Sequence, residues 1–101
     1  MAPYILSPKA KADLSAIWDY GAERWGAERW GAERATDYIR DIQRAIEHAA
    51  AHPLRGRACD EVRAGYFKVS VGSHLLFYRL VDDVLDVVRV LHQRMDVGRH
   101  L

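Results

Sequence analysis

Two β-rich runs that flank a pair of adjacent aspartates constrain the fold of this chain more than any other feature. The runs cover residues 72–81 and 84–92, and Asp82 and Asp83 stand between them. Two turn-forming residues between two such runs predict a tight β-hairpin. In the register that a two-residue loop sets, Arg79 lies opposite Asp86, so that opposite charges face each other across the strands.

The same register predicts apolar pairs farther from the turn. We expect two of them, Phe77 opposite Val88 and Leu75 opposite Val90. A slip of one residue would turn every side chain to the other face and would break both the charged and the apolar pairs.

Both faces of this hairpin are largely apolar. One face is expected to carry Leu75, Phe77, Val81, Val84, Val88 and Val90, and the other Leu76, Tyr78, Leu80, Leu85, Val87 and Leu91. A sheet that is apolar on both faces must be covered on both sides. The cover must therefore come from the helices of the chain itself or from a partner protein.

Composition limits the class of protein. A length of 101 residues predicts one domain, residues 1–101, and a hydrophobic fraction of 50% argues against disorder. The formal net charge of +1 argues against attachment to nucleic acid mainly through charge. The single cysteine permits no internal disulfide, and we expect it to be unreactive.

We see no signal peptide and no apolar run of about 20 residues, so a cytoplasmic location and no membrane contact are expected.

Two amphipathic helices are predicted ahead of the hairpin. After a short strand at residues 4–6, Ser7 and Pro8 form a typical helix start. The first helix has an apolar stripe of Ala10, Leu14, Ile17, Gly21 and Trp25. The second has a longer stripe of Ala35, Tyr38, Ile39, Ile42, Ala45, Ile46 and Ala49, and it should end near His52, before Pro53.

Three tandem pentads join the two helices. Residues 21–25 and 26–30 both read Gly-Ala-Glu-Arg-Trp, and residues 31–35 read Gly-Ala-Glu-Arg-Ala. Five helical residues turn through a net angle of about 140°, so successive pentads cannot share one helix face. We therefore expect the helices to separate at Gly26 or Gly31, with one of Trp25 and Trp30 packed and the other exposed.

The order of elements predicts an α+β fold. A loop over residues 53–65 and a strand over residues 66–71 precede the hairpin. The expected order is β-α-α-β-β-β, in which an N-terminal strand and an antiparallel helical hairpin pack on a mainly antiparallel sheet.

Few residues match a catalytic template. We find no phosphate-binding loop, no nucleophile elbow and no HExxH or CxxC metal motif, so neither a metal nor a cofactor is expected. The register places Arg89 beside Leu76, with His74 and Tyr78 diagonal to it. Arg79 is expected on the other face, and His92 follows at the strand end. His, Tyr and Arg side chains that lie close together can act as general acid, base and oxyanion clamp in phosphodiester cleavage, and the candidates for this activity are Arg79, Arg89 and His92. The alternative is that these residues form cross-strand pairs and the rim of a partner-binding groove.

Several segments, in order, resemble the ParE toxins of the RelE/ParE superfamily. They begin with Tyr-Ile-Leu-Ser-Pro-Lys-Ala-Lys-Ala-Asp-Leu and continue through Ile-Trp-Asp-Tyr, Ala-Thr-Asp-Tyr-Ile and His-Pro-Leu-Arg-Gly. Val-Arg-Ala-Gly-Tyr, Gly-Ser-His-Leu-Leu-Phe-Tyr-Arg and Arg-Val-Leu-His-Gln-Arg-Met-Asp complete the match. The chain departs from the family pattern in its extra pentad, which resembles an insertion of residues 26–30.

This resemblance implies the toxin of a bacterial type II toxin–antitoxin pair. Its implied partners are a ParD-like antitoxin and DNA gyrase, whose inhibition would block replication. We expect four apolar residues of the first helix to bind the antitoxin, namely Leu14, Ile17, Trp18 and Trp25. The expected target-facing residues are Arg89, His92, Arg94 and Arg99. A ribosome-dependent mRNA endonuclease of the RelE type, and an antitoxin-binding module that has lost toxicity, remain alternatives.

Overall fold

A five-stranded sheet carries a helical hairpin on one face. The computed structural model describes the backbone of residues 3–24 and 29–101 and the side chains of residues 3–23 and 31–101. The elements are β1 (Tyr4–Leu6), α1 (Pro8–Arg24), α2 (Arg29–Ala51), β2 (Arg57–Ala58), β3 (Phe67–Val71), β4 (His74–Val81), β5 (Val84–His92) and α3 (Val97–His100). The strand order is β1-β5-β4-β3-β2, in which β1 runs parallel to β5 and all other pairs are antiparallel. The predicted α+β architecture is confirmed. None of the described helices is long and apolar enough to cross a bilayer.

Ser7 begins α1 as predicted and also attaches it to the sheet. Its Oγ accepts a hydrogen bond from the backbone N–H of Ala10 at 3.0 Å, which is the N-cap interaction. The same hydroxyl donates to the carbonyl oxygen of Val88 at 2.7 Å. One side chain therefore fixes both the start of the helix and its position against β5.

Helix α2 extends farther toward the N-terminus than its predicted apolar stripe, which begins at Ala35. In the described residues, α2 already includes Arg29, so Gly31 lies inside the helix and the alternative break at Gly31 is wrong. A single glycine inside a helix costs only about 1 kcal/mol, and the Ala-Glu-Arg runs around it are good helix formers. The other expected break, at Gly26, and the expected contrast between Trp25 and Trp30 lie outside the described residues.

The main core lies between the helices and the sheet. The apolar stripe of α2 is confirmed, since Ile42, Ile46 and Ala49 are buried there against strand residues. The sheet contributes five buried side chains to this core, Leu76, Tyr78, Leu85, Val87 and Val90.

The hairpin register is confirmed near the turn and wrong beyond it. Arg79 pairs with Asp86, and both turn residues adopt positive φ angles, 51° at Asp82 and 64° at Asp83. A β-bulge then shifts the pairing between Phe77 and Tyr78. The bulge inserts one extra residue into β5, which a count of alternating residues cannot reveal.

As a result, three cross-strand pairs differ from the predicted ones. Leu75 pairs with Leu91, Leu76 with Val90, and Phe77 with Arg89. Without the bulge, Arg89 would lie across from Leu76, a residue of the main core. With it, the apolar Val90 takes that place and the charged group avoids burial among apolar side chains.

The second face of the sheet is covered in part by the chain itself. A smaller core of Cys59, Tyr66, Phe77 and Leu91 is buried there, with Leu75, Val88, Val97 and Leu101 packed against it. Two elements that we did not predict lie beside this core. Strand β2, in the segment interpreted as a loop, directly precedes Cys59, and α3, in the tail interpreted as polar and basic, contributes Val97.

Candidate partner-binding site

An open apolar groove lies where the two long helices meet the edge strand β1. Its volume is about 200 Å³. The residues that line it are Tyr4 and Leu6 of β1, Leu14 of α1, and Ile39, Gln43 and Ile46 of α2. Five of these six side chains are largely apolar, so the groove is suited to side chains of another protein.

The strand beside this groove lies at an edge of the sheet. Within residues 3–24 and 29–101, β1 is the last strand on this side and pairs with β5 alone. The side chain of Ile5 at its centre is 56% exposed. The backbone N–H and C=O groups on the outer side of an edge strand can pair with an incoming strand. A partner could therefore occupy the groove and extend the sheet at the same place.

The expected antitoxin anchors have different surroundings. Leu14 lines the groove, whereas Ile17 is half-buried and packs against the main core. Trp18 is 38% exposed, and its Nε1–H donates to Thr36 Oγ1 at 3.2 Å. Trp25 lies outside the described residues.

The sequence reasoning missed most of the groove. Ile39 and Ile46 belong to the stripe of α2, and their spacing shows only that they point toward the sheet. That they also border an opening depends on the short edge strand β1, which leaves part of the helical layer uncovered.

Arg89, one of the expected target-facing residues, is bound within the protein. Its Nε and Nη2 donate to the Asp13 carboxylate at 2.8 and 2.7 Å, and its Nη1 donates to the carbonyl oxygen of His100 at 3.0 Å. Only 14% of the Arg89 side chain and 13% of the Asp13 side chain are exposed. The hydrogen bonds to Asp13 raise the pKa of Arg89 further, so the guanidinium stays charged. Arg89 thus joins α1, β5 and the end of α3.

The other basic residues at this end face solvent. Arg94 is exposed, and its backbone N–H donates to His92 Nδ1 at 3.1 Å. The Arg99 side chain is 84% exposed and lies 3.7 Å from the Asp96 carboxylate. His92 is half-buried at the end of β5. These three residues are accessible to a target in a way that Arg89 is not.

The three residues considered for phosphodiester cleavage do not come together. Arg79 pairs with Asp86 near the turn, at a distance of 3.0 Å. His92 pairs with His74, five residues from Arg79 along β4, which corresponds to roughly 17 Å of strand. Arg89 is occupied by Asp13. This arrangement favours the alternative interpretation, in which these residues are structural or rim a binding surface.

A different polar cluster forms at the end of the sheet. The Tyr38 hydroxyl and His74 Nδ1 share a hydrogen bond of 2.6 Å, and the Ser73 backbone N–H donates to the same hydroxyl at 3.0 Å. The rings of His74 and His92 meet edge to face, with centroids 5.3 Å apart. Burial lowers the pKa of His74, and the neighbouring His92 lowers it further, against an opposing effect of Asp13.

His74 should make stability depend on pH. Because its pKa is lower in the folded protein than the usual value of about 6.5, the unfolded chain binds the proton more readily. The stabilisation is therefore complete above about pH 6.5 and is lost as the pH falls below it. When the pH falls from 7.5 to 5.5, the unfolding free energy measured by urea titration should decrease less in the His74→Gln variant than in the unmodified protein. Equal losses in the two proteins would contradict this assignment.

Cys59 has the environment of an unreactive thiol, as expected. The residue is fully buried in the smaller core. Burial raises the pKa of its thiol, Glu61 raises it further, and Lys68 opposes the effect. Because the thiolate is the reactive form, a raised pKa reduces reactivity at neutral pH.

Comparisons of sequence give a consistent result. The family model described as ParE toxin of type II toxin-antitoxin system, parDE, matches residues 4–97. The chain is 56% identical over 99 residues to Toxin ParE1 of Mycobacterium tuberculosis (strain CDC 1551 / Oshkosh), covering 97% of this chain and 96% of that protein. It is 46% identical over 101 residues to Toxin ParE1 of Caulobacter vibrioides, covering 100% of this chain and 99% of that protein.

Solved structures share the fold. A chain from the chromosomal ParDE system of P. aeruginosa superposes with a TM-score of 0.75 at 19% identity, covering 91% of this chain and 96% of that chain. A chain of the RelBE2 toxin–antitoxin complex from Mycobacterium tuberculosis gives a TM-score of 0.59 at 22% identity, covering 91% of this chain and 98% of that chain. The family model and the two sequence relatives span nearly the whole chain. The chain therefore belongs to the ParE toxins of type II toxin–antitoxin systems.

Proposed function

We propose that this toxin inhibits DNA gyrase and is neutralised by a ParD-like antitoxin that occupies the groove beside β1. The observation that carries the antitoxin part is the coincidence of an apolar groove and a free strand edge. The gyrase part rests on membership of the ParE family. In this proposal the toxin acts by binding, because the basic residues considered for catalysis are paired or far apart.

The size of the groove supports a protein partner. Sites for small molecules usually enclose about 300–1,000 Å³, and this groove is smaller and open. An amphipathic helix could place its apolar side chains against the partly buried Leu6, Leu14 and Ile39, while an adjoining extended segment pairs with the edge of β1. Both are established ways of recognising a peptide segment.

The target-facing surface is proposed at the other end of the sheet. Arg94 and Arg99 are exposed there, and the half-buried His92 ends β5 with its ring against His74. Arg89 holds the last residues in place through the His100 carbonyl. Arg94 and Arg99 are therefore the direct candidates, and Arg89 is a positioning residue.

Purified toxin, gyrase, ATP and supercoiled plasmid provide the test. We expect linear DNA to accumulate and the ParD-like antitoxin to abolish this cleavage. The double variant Arg94→Glu/Arg99→Glu should still bind the antitoxin but cleave at least tenfold less, because both charges face solvent and neither supports the core. Full cleavage by this variant would show that the target surface lies elsewhere.

The extra pentad provides a second comparison in the same assay. If the chain with residues 26–30 deleted causes cleavage and the full chain does not, the insertion has weakened the toxin. If neither causes cleavage, gyrase is not the target. Codon-linked cuts in mRNA would then support the RelE-type alternative, and antitoxin binding alone would support a module without toxicity.

Filling the groove should weaken antitoxin binding without unfolding the toxin. Gln43 is exposed and lines the groove, so Gln43→Trp would add bulk to the opening. We expect at least a tenfold loss of affinity, about 1.4 kcal/mol, in calorimetric titrations with the ParD-like antitoxin. Unfolding free energy should change by no more than about 0.5 kcal/mol.

Arg44→Trp is the matched control. Arg44 is the next residue of α2, its side chain is 77% exposed, and it does not line the groove. The control should bind the antitoxin normally. If the two variants bind alike, the antitoxin does not use this groove.

A further inference from the structure

Two histidines lie one helical turn apart at the C-terminal end of α2. The ring centroids of His48 and His52 are 5.0 Å apart, and both residues are exposed. His52 follows the last residue of α2, but its backbone N–H still donates to the His48 carbonyl oxygen at 2.9 Å. The helical spacing therefore extends to His52, and the two imidazoles stand on the same face.

From this pair we infer a two-histidine binding site for a divalent transition metal. Two histidines four residues apart on a helix are the spacing with which HExxH helices hold zinc. The expectation of no metal rested on the absence of the HExxH and CxxC motifs, and residues 48–52, His-Ala-Ala-Ala-His, lack the glutamate of HExxH. The described residues hold no group of three or more metal-ligating side chains, so His48 and His52 would be the only protein ligands. Water would fill the remaining positions.

The chemistry of imidazole determines which ions bind. Neutral imidazole suits copper, nickel and zinc, whereas magnesium and calcium prefer oxygen ligands. Among these ions, Cu²⁺ should bind most tightly. Arg44 lies one turn before His48 and would oppose a cation, but it lies 3.8 Å from the Asp41 carboxylate, which offsets part of its charge.

The site is separate from the groove proposed for the antitoxin. The groove is lined on α2 by Ile39, Gln43 and Ile46, and neither histidine borders it. A step of five residues from Gln43 to His48 turns the helix by about 140°. The inference therefore does not depend on the proposed function.

Calorimetry on the full chain tests the site. CuCl₂, NiCl₂ and ZnCl₂ should each bind with one ion per chain, with MgCl₂ giving no heat. His48→Gln and His52→Gln should each lower the affinity for Cu²⁺ and Ni²⁺ at least tenfold, because one ligand of two is lost. In ¹⁵N NMR spectra, Zn²⁺ should shift the amides of residues 47–53. Shifts centred instead on His74 and His92 would overturn the assignment.

Two double variants with an unchanged number of histidines make the test independent of histidine content. Arg44→His/His52→Gln moves the pair back by one turn, keeps the four-residue spacing and should restore binding. Gln43→His/His52→Gln places the two imidazoles five residues apart, on different faces, and should bind no better than His52→Gln. Equal binding by both double variants, or unchanged binding by His48→Gln, would refute the inference.

Discussion

Replacement of Asp13 by alanine is expected to destabilise the protein by about 3 kcal/mol, because it leaves a largely buried guanidinium without its partner. The Asp13 carboxylate accepts two hydrogen bonds from Arg89 and a third from the Val90 backbone N–H at 3.0 Å. Removing it leaves all three donors unsatisfied at the junction of α1 and β5. Urea unfolding followed by circular dichroism would measure the loss.

The chain contains a matched control for this prediction. Arg79 and Asp86 form a similar ion pair at 3.0 Å, but 47% of the Arg79 side chain is exposed. Asp86→Ala should therefore cost no more than about 1 kcal/mol. The double variant Asp13→Ala/Arg89→Met should lose less than the sum of its two single changes, since neither charge is then left alone. Similar losses for Asp13→Ala and Asp86→Ala would show that burial does not distinguish the pairs.

This prediction affects how the target surface is tested. Charge reversal at Arg89 would oppose Asp13 and release the His100 carbonyl, so a loss of toxicity could reflect unfolding. Arg94 and Arg99 face solvent, and neither side chain supports the core. Variants at those two positions therefore report on target binding more directly.

The second large effect is expected at the turn between β3 and β4. Gly72 has a φ angle of +55°, and a Cβ atom there would lie 2.6 Å from Tyr38 Cε1 and 2.7 Å from its hydroxyl. Gly72→Ala thus combines an unfavourable backbone conformation with a displaced tyrosine. We expect a loss of about 2–4 kcal/mol in urea unfolding. The His74 imidazole should also lose its hydrogen bond to the Tyr38 hydroxyl.

Gly65 separates the two causes. Its φ angle is +82°, but a Cβ atom there would meet no other atom within 4 Å. Gly65→Ala should therefore show the backbone cost alone, about 1 kcal/mol. If Gly65→Ala is as destabilising as Gly72→Ala, contact with Tyr38 is not the reason for the glycine at position 72.

Local patterns in the sequence determined much of the fold. The Ser7-Pro8 start of α1, the apolar stripe of α2 and its end before Pro53 are confirmed, as is the turn at Asp82 and Asp83. Each depends on residues within a few positions of one another, where capping, periodicity and turn geometry act directly. The order of the segments that resemble ParE toxins likewise identified the family from the sequence alone.

Long-range contacts decided the remainder. The bulge beside Phe77 exists because Val90 fits the main core and Arg89 does not, which depends on what α1 and α2 place above the sheet. Asp13 and Arg89 are 76 residues apart, and no local pattern joins them. The groove beside β1 arises from the different lengths of a short strand and two long helices. Sequence periodicity shows which way a side chain points. Only the packed structure shows whether another part of the same chain already covers that side chain.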